Sequence, residues 1–321
     1  MTLSAFGPVP SRRLGFSIGI NHIPPKHCPY ACVYCQVGAT NHMQIKPGSF
    51  YPVDAVYQVV QQAVQLAQKQ HQSIDFLTFV PDGEPTLDQN LGAEIDALRD
   101  LGYPIAVITN GALINHPDVR QALGKADWVS LKIDSVIEPI WRSINRPHRA
   151  LRLDEIMSGM LTFASEFGGE FVTETMLISG LNDDLASINR LADFLYALQP
   201  FKSYLSTPIR PPAESWVCPL EVEKFTQIRQ IISKSVPVTP PLIDIEANKF
   251  VSTGNLVQDI LNITAVHPLR EEALRQMLAQ AGADWAVIED LVTTGEIVRV
   301  QYRGTNFYLR CFSKPPQQLI K

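Results

Sequence analysis

The sequence has no uninterrupted apolar run of membrane-spanning length, and nothing near its start joins a charged segment to a short apolar one. The expectation is a soluble, cytoplasmic protein with no membrane partner. Basic charge is not in excess: 27 Lys and Arg stand against 32 Asp and Glu, a net of −5. No overall field draws in a polyanion, so nucleic acid would need a local patch. Cysteine is scarce, five in 321 residues, and three of the five crowd together. That excludes a secreted disulfide framework and points to reduced thiols that bind metal. There is no internal repeat and no low-complexity tract. What is present is a 45% share of hydrophobic residues, enough for a core, in a chain longer than one average domain.

Short β-branched runs alternate with longer amphipathic ones, the pattern of βα units around a parallel sheet. Six strands are read: FSIGI near residue 16, DFLTFV from Asp75, PIAVITN from Pro104, WVSLKID from Trp128, EFVTETMLI from Glu170 and KSYLSTPI from Lys202. The clearest helix runs from Val53 to about Gln70, where Val56, Val59, Val60, Ala63, Val64 and Ala67 recur at helical spacing. Another follows Asn182, read as its N-cap. Six βα repeats fall short of the eight of a closed barrel. The fold class is therefore α/β, an open, partial (βα)6 TIM-like barrel with its chemistry on the loops after the strands.

Three prolines in SVPVTPP, residues 235–241, end the barrel domain near residue 240. The division expected is 1–240 for the barrel, 241–261 for a linker and 262–321 for a small C-terminal domain. There, helical patterns at 268–281 and 283–294 meet at Gly282, and EIVRVQY and TNFYLRCF flank a turn at Arg303-Gly304. That order describes a winged helix-turn-helix. Its second helix carries Asp284, Glu289 and Asp290 and no basic residue, a poor surface for phosphates. The wing, with Arg299, Arg303 and Arg310, leaves RNA, protein contact or a purely structural role open.

The crowded thiols are Cys28, Cys32 and Cys35 in HCPYACVYCQ. A cubane iron–sulfur cluster has four irons, so three cysteines leave one iron open for chemistry. The alternative is one zinc ion held by the same thiols with His27 or His22. Cys218 and Cys311 stand alone and read as packed or idle thiols.

CxxxCxxC with an aromatic residue, Tyr34, before the third cysteine resembles the motif of the radical S-adenosylmethionine superfamily. The resemblance implies a [4Fe–4S] cluster on Cys28, Cys32 and Cys35 whose open iron binds S-adenosyl-L-methionine. Gly83-Glu84-Pro85, after the second strand, is similar to the family's GEP turn beside the methionine amino group. Asn110, in Thr109-Asn110-Gly111, resembles the polar turn near the ribose. Lys132 and Asp134 end the fourth strand on one face, where the resemblance sets them against the carboxylate and ribose; an ion pair with each other, or exposure at the strand end, is the alternative. Glu174 lies in phase with Met176 and Ile178, and Gly180 falls where the family places backbone against adenine. Arg210, fixed before two prolines, suits an anionic substrate or a salt bridge.

Within the superfamily, FGPVPSRRLG, IPPKHCPYACVYCQ, SINRPH and TPIRPPAE resemble the group related to tRNA wyosine-base synthesis enzymes. That group carries a second cluster on three further cysteines; only Cys218 and Cys311 remain here, so one cluster is expected. The resemblance implies a 5′-deoxyadenosyl radical, a substrate hydrogen abstraction, and a flavodoxin- or ferredoxin-type electron donor. Arg12, Arg13, Arg146, His148 and Arg210, read as loop residues at the barrel mouth, favour RNA as substrate. A protein substrate, as for glycyl-radical activating enzymes, is the alternative, and a zinc-stabilised winged-helix regulator of nucleic acid is the distant one.

Overall fold

The computed structural model describes residues 3–11, 13–239 and 255–311. Arg12 and residues 241–254 of the expected linker lie outside the described residues. In chain order the strands are β1 (Ser4–Ser11), β2 (Gly15–Asn21), β3 (His27–Cys28), β4 (His42–Met43), β5 (Phe76–Phe79), β6 (Ile105–Thr109), β7 (Trp128–Lys132), β8 (Glu170–Met176), β9 (Lys202–Ser206), β10 (Leu269–Arg270), β11 (Ile297–Tyr302) and β12 (Thr305–Arg310). The helices are α1 (Val53–Lys69), α2 (Leu91–Leu98), α3 (Pro117–Leu123), α4 (Glu138–Asn145), α5 (Leu153–Glu166), α6 (Leu185–Leu198), α7 (Val222–Ile232), α8 (Leu256–Val266), α9 (Glu271–Ala281) and α10 (Ala286–Thr293).

The main sheet runs β1-β2-β5-β6-β7-β8-β9. From β2 to β9 every neighbour is parallel and the order in space follows the order in sequence. These are the six strands read from the sequence, and the sheet does not close on itself. The seventh, β1, pairs antiparallel with β2 at the edge, with a register shift between Phe6 and Val9. Gly7, Pro8 and Pro10 mask it in the sequence, and an edge is where a strand tolerates such residues.

The helices that flank the main sheet bury their apolar stripes in one core with it. Along α1, Val56, Val60, Val64 and Ala67 are buried, with Asp54 in the first turn and Lys69 in the last complementing the helix dipole. The N-cap of α6 is Asp184, which accepts from the Ser187 amide, and not Asn182. Asn182 is occupied elsewhere: its Oδ1 accepts from Ile178 N, and its Nδ2 donates to the Asp134 and Met176 carbonyls.

The expected linker extends too far. Residues 256–261, assigned to it, open α8, whose Ile260, Leu261, Ile263 and Val266 are buried with Phe6 of β1. Beyond α8, β10, β12 and β11 form a three-stranded antiparallel sheet beside α9 and α10. Arg303 and Gly304 both have positive φ, 49° and 80°, at the β11–β12 turn, the geometry of a tight hairpin. This unit is not set apart from the barrel. Tyr302 donates to the Pro208 carbonyl at 3.0 Å, and Gln36 of the cysteine loop donates to the Val266 carbonyl at 3.2 Å.

Candidate active site

The loop between β2 and α1 carries the three cysteines across the end of the sheet at which β2, β5, β6 and β7 finish. It is fixed to α4 by backbone hydrogen bonds from Ala31 N to the Asn145 carbonyl and from Val33 N to the Ile144 carbonyl. At Gly83 the loop and the turn after β5 touch. A Cβ there would sit 2.5 Å from the His27 carbonyl oxygen and 2.8 Å from Ile23 Cγ2, so only glycine admits that approach. The neighbouring Glu84 amide donates to the same carbonyl at 2.9 Å.

Each of the three sulfurs has a side-chain nitrogen donor beside it. Asn110 Nδ2 lies 3.3 Å from Cys28 Sγ, Asn145 Nδ2 lies 3.4 Å from Cys32 Sγ, and Lys26 Nζ lies 3.7 Å from Cys35 Sγ. Burial first, then the Glu84 carboxylate, pushes the Cys28 thiol well up. Burial first, then Asp134, pushes Cys32 up to about 12. As free thiols these two stay protonated; a bound cation is what draws out such thiolates.

The sulfurs are also too widely spread for one zinc. Tetrahedral Zn–S bonds of about 2.3 Å bring sulfurs to roughly 3.8 Å, whereas Cys28, Cys32 and Cys35 do not all lie within 4.8 Å of one another. A cube, binding each thiolate at a different corner, requires that wider spacing. Neither expected zinc histidine joins them. His22 is fully buried near Glu94, and His27 Nδ1 faces the Pro24 and Pro25 carbonyls. The donor set fits an iron–sulfur cube.

The three cysteines open into a cavity of about 460 Å³, which Tyr34, Gly83, Glu84, Asn110 and Lys132 also line. Glu84 is buried, not a solvent-facing turn residue. Its Oε1 accepts from Thr86 N at 3.1 Å, Thr86 Oγ1 at 2.7 Å and the Thr109 hydroxyl, and its Oε2 accepts from Asn110 N at 2.8 Å. Burial still raises its carboxyl against those four bonds. Pro85 is buried just behind it and starts a single 3-10 turn. Asn110 thus bridges Glu84, through its amide, to Cys28, through its side chain.

Lys132 sits 3.3 Å from Glu174 and over the Tyr34 ring at 5.0 Å, and Arg13 pairs with the same carboxylate. Burial acts to raise Glu174, but Arg13 and Lys132 outweigh it and hold the carboxyl down at about 2.

Asp134 is not in the lining of this cavity, and lies two residues beyond Lys132, where β7 ends. Its Oδ2 accepts from Tyr34 Oη and from Asn145 Nδ2 at 2.7 Å, and its Oδ1 accepts from Met176 N at 2.8 Å. It holds the cysteine loop to the end of β8. Gly180, at φ 76°, lies on an exposed turn with no non-neighbouring atom within 4 Å of its would-be Cβ, away from the cavity lining.

Of the five basic residues gathered for RNA, Arg12 lies outside the described residues. Arg13 turns inward to Glu174, and Arg146 pairs with Glu214. His148 is tied back by its amide to the Pro29 carbonyl at 2.8 Å. Arg210 does line the cavity, reaching Gln36 Oε1 and His267 Nε2, each at 3.2 Å. Ile263, Val266 and His267, from and just after α8, complete the lining, so the C-terminal unit closes part of the mouth. Lys26, Asn145 and these three were not singled out from the sequence, since no local pattern connects them to the cysteines.

The description "Radical SAM superfamily" matches residues 23–192, which hold the cysteine loop, the Gly83–Pro85 turn and Lys132. The chain belongs to the radical SAM superfamily. This radical SAM enzyme is 44% identical over 308 residues to "UPF0026 protein MJ1312" of Methanocaldococcus jannaschii, covering 95% of each chain. "UPF0026 protein slr1464" of Synechocystis is 34% identical over 210 residues, 65% of this chain and 76% of that one. Among solved structures, "TYW1 with a lysine-pyruvate adduct bound" matches with a TM-score of 0.54 at 17% identity, over 70% of this chain and 76% of that one. At that identity the match speaks for the shared fold alone. No helix among the described residues is long and apolar enough to cross a membrane.

Proposed function

We propose that this radical SAM enzyme reductively cleaves S-adenosyl-L-methionine at a single [4Fe–4S] cluster on Cys28, Cys32 and Cys35, and that the ensuing hydrogen abstraction modifies RNA, with tRNA the first class to test. One observation carries the cleavage: three sulfurs, each with a side-chain nitrogen donor beside it, open together into one cavity. When bound, cluster and cofactor supply one-electron cleavage of the sulfonium to methionine and a 5′-deoxyadenosyl radical.

The chain's own residues do the rest. Lys26, Asn110 and Asn145 donate toward the sulfurs and tune their charge. Gly83, Glu84 and Pro85 form the rigid wall where the methionine end would bind, with Tyr34, Asn110 and Lys132 beside it; Asp134 supports Tyr34, and Gly180 is left without a part. Gln36, Arg210 and His267 tie the cysteine loop to the C-terminal unit and keep bulk water from the cavity.

Residues 256–310 are read as a winged-helix unit, from the three helices α8, α9 and α10 followed by the β11–β12 hairpin. Its exposed wing residues Arg299 and Arg303 are the phosphate-facing candidates, now that Arg13 and Arg146 are committed to carboxylates. These wing residues and the segments resembling the wyosine group support RNA. A flavodoxin- or ferredoxin-type protein is the electron donor in this reading.

Anaerobically reconstituted protein is expected to hold four irons per chain and release 5′-deoxyadenosine with a strong reductant; colourless protein without that product overturns the reading. Modified-nucleoside profiling of RNA from a deletion strain tests the substrate, and an unchanged profile moves it to a protein.

A further inference from the structure

Beneath the cysteine loop lies a second group of ligand-type side chains with no part in the site above. His22 follows β2, Asp88 ends the 3-10 turn after β5, and Glu94 sits in the first turn of α2. His22 and Glu94 are 0% exposed and Asp88 is 3% exposed. One ligand atom from each lies within 4.8 Å of the other two, the sole triad of His, Cys, Asp or Glu to do so among the described residues.

Both carboxylate oxygens of Glu94 are buried without a hydrogen-bond partner, and the ring nitrogens of His22 and Oδ2 of Asp88 make no well-aligned hydrogen bond, the Pro85 backbone lying beside His22 and the Phe50 backbone beside Asp88. His22 Nε2 stands 3.8 Å from Glu94 Oε2, too far for a hydrogen bond. Leaving the Glu94 oxygens unpaired costs about 1–3 kcal/mol each, a burden that structures rarely carry without a ligand. The surroundings orient the group. Asp88 Oδ1 already accepts from Asn90 N at 2.8 Å, which turns Oδ2 to the centre. The Phe79 ring meets His22 edge to face at 4.8 Å and walls off one side.

We infer that His22, Asp88 and Glu94 form a second metal site, for a divalent transition ion such as zinc, separate from the cysteine loop. One neutral imidazole and two carboxylates balance a dipositive ion, and mixed nitrogen and oxygen donors suit such metals. Tetrahedral bonds of about 2.0–2.2 Å set ligand atoms roughly 3.4 Å apart, so the His22–Glu94 pair at 3.8 Å closes by a few tenths of an ångström and Asp88, within 4.8 Å of both, follows by a side-chain adjustment. The site is structural. It joins the segment leading into Cys28 to the turn carrying Glu84, so the ion fixes two walls of the cavity from below.

The test uses full-length protein with its cluster reconstituted anaerobically, incubated with zinc sulfate and desalted. Elemental analysis is expected to give one zinc per chain, and zinc K-edge absorption a shell of nitrogen and oxygen only, at about 2.0–2.1 Å. Glu94→Gln, shown to be folded by circular dichroism and unchanged iron content, is expected to bind zinc at least tenfold more weakly. Asp88→Asn serves if Glu94→Gln does not fold. Wild-type protein that retains no zinc, meaning that a trapped water or shared proton satisfies the triad, overturns the inference. So does a sulfur shell near 2.3 Å, or retention equal to wild type in the folded variant.

Discussion

Asn145 and Cys32 meet at 3.4 Å, amide nitrogen to sulfur, although 113 residues separate them. The same Nδ2 donates to Asp134 Oδ2 at 2.7 Å, so the carboxylate aims the amide at the thiolate. A donor of this kind favours the more negative, reduced cluster. Asn145→Ala is therefore expected to lower the cluster's reduction potential by ~50 mV. That follows from one bond worth about 1 kcal/mol on a one-electron couple for which 59 mV is tenfold. Redox titration followed by electron paramagnetic resonance reads it, and an unchanged potential contradicts the hydrogen bond.

The five cysteines divide by position. Cys28→Ala, Cys32→Ala or Cys35→Ala is expected to abolish cleavage of S-adenosylmethionine and most iron binding, because two thiolates cannot hold the cube. Cys218, exposed, and Cys311, just after β12, are not among the residues that line the cavity. Alanine at either is expected to leave iron per chain and 5′-deoxyadenosine yield as in wild type. A loss at either would mean a second cluster.

Glu84→Ala removes the acceptor of four hydrogen bonds at once. Stability is expected to fall by on the order of 3 kcal/mol in urea denaturation, and affinity for S-adenosylmethionine by roughly ten- to a hundredfold. Calorimetric titration of protein with full clusters separates the two effects. Equal affinities would leave Glu84 with a purely structural part.

What was legible in the sequence was whatever repeats locally. The six parallel strands are buried on both sides and read as continuous β-branched runs, and the valine stripe of α1 repeats at helical period. The edge strand β1 was not legible, because Gly7, Pro8 and Pro10 look like a loop. Helix α8 was lost beside a proline-rich segment. Its apolar face answers to Phe6, some 250 residues earlier in the chain, a partner that no window reveals. The cysteine spacing stood out, but the donors behind it did not. Lys26 and Asn145 are ordinary residues until the fold brings them to sulfur. For Asp134 the period-two alternation extends two residues past the end of β7, and the contacts it makes with Tyr34 and Asn145 come from the tertiary fold.

Glu174 gives the cavity a defined acid response. Its carboxyl lies at about 2 in the folded protein, below the ordinary value of about 4.3. A depressed carboxyl contributes stability that is fully present above the unfolded value and lost as pH falls through the folded one. The contribution from Arg13 and Lys132 should thus persist at neutral pH and disappear between about pH 4.3 and 2. Arg13→Met leaves only Lys132 to balance the buried carboxylate. We expect a loss of about 2 kcal/mol at pH 7, less than for a pair left with no partner, and a smaller further loss on acidification than in wild type. Urea midpoints at pH 7, 5 and 3 give both numbers, and parallel curves for the two proteins would exclude the coupling.

Gly83→Ala tests whether the cysteine loop depends on the turn after β5. The added methyl group would lie 2.5 Å from the His27 carbonyl oxygen, a backbone atom, and 2.8 Å from Ile23 Cγ2. A flexible side chain could move aside, but the carbonyl can retreat only by carrying Cys28, its neighbour, away from Asn110. The backbone conformation of Gly83 itself is one that alanine adopts, so steric contact alone is at issue. Overpacking of this kind costs about 1–3 kcal/mol, and here the displacement falls on a cluster ligand. The expected result is a folded protein with markedly less iron per chain after reconstitution and correspondingly less 5′-deoxyadenosine. Gly102→Ala serves as the control: its would-be Cβ meets nothing within 4 Å, though its φ of 78° strains any alanine. That control should lose some stability and keep its iron. If Gly83→Ala also kept wild-type iron while losing stability, the turn would support the barrel and not the cysteine loop.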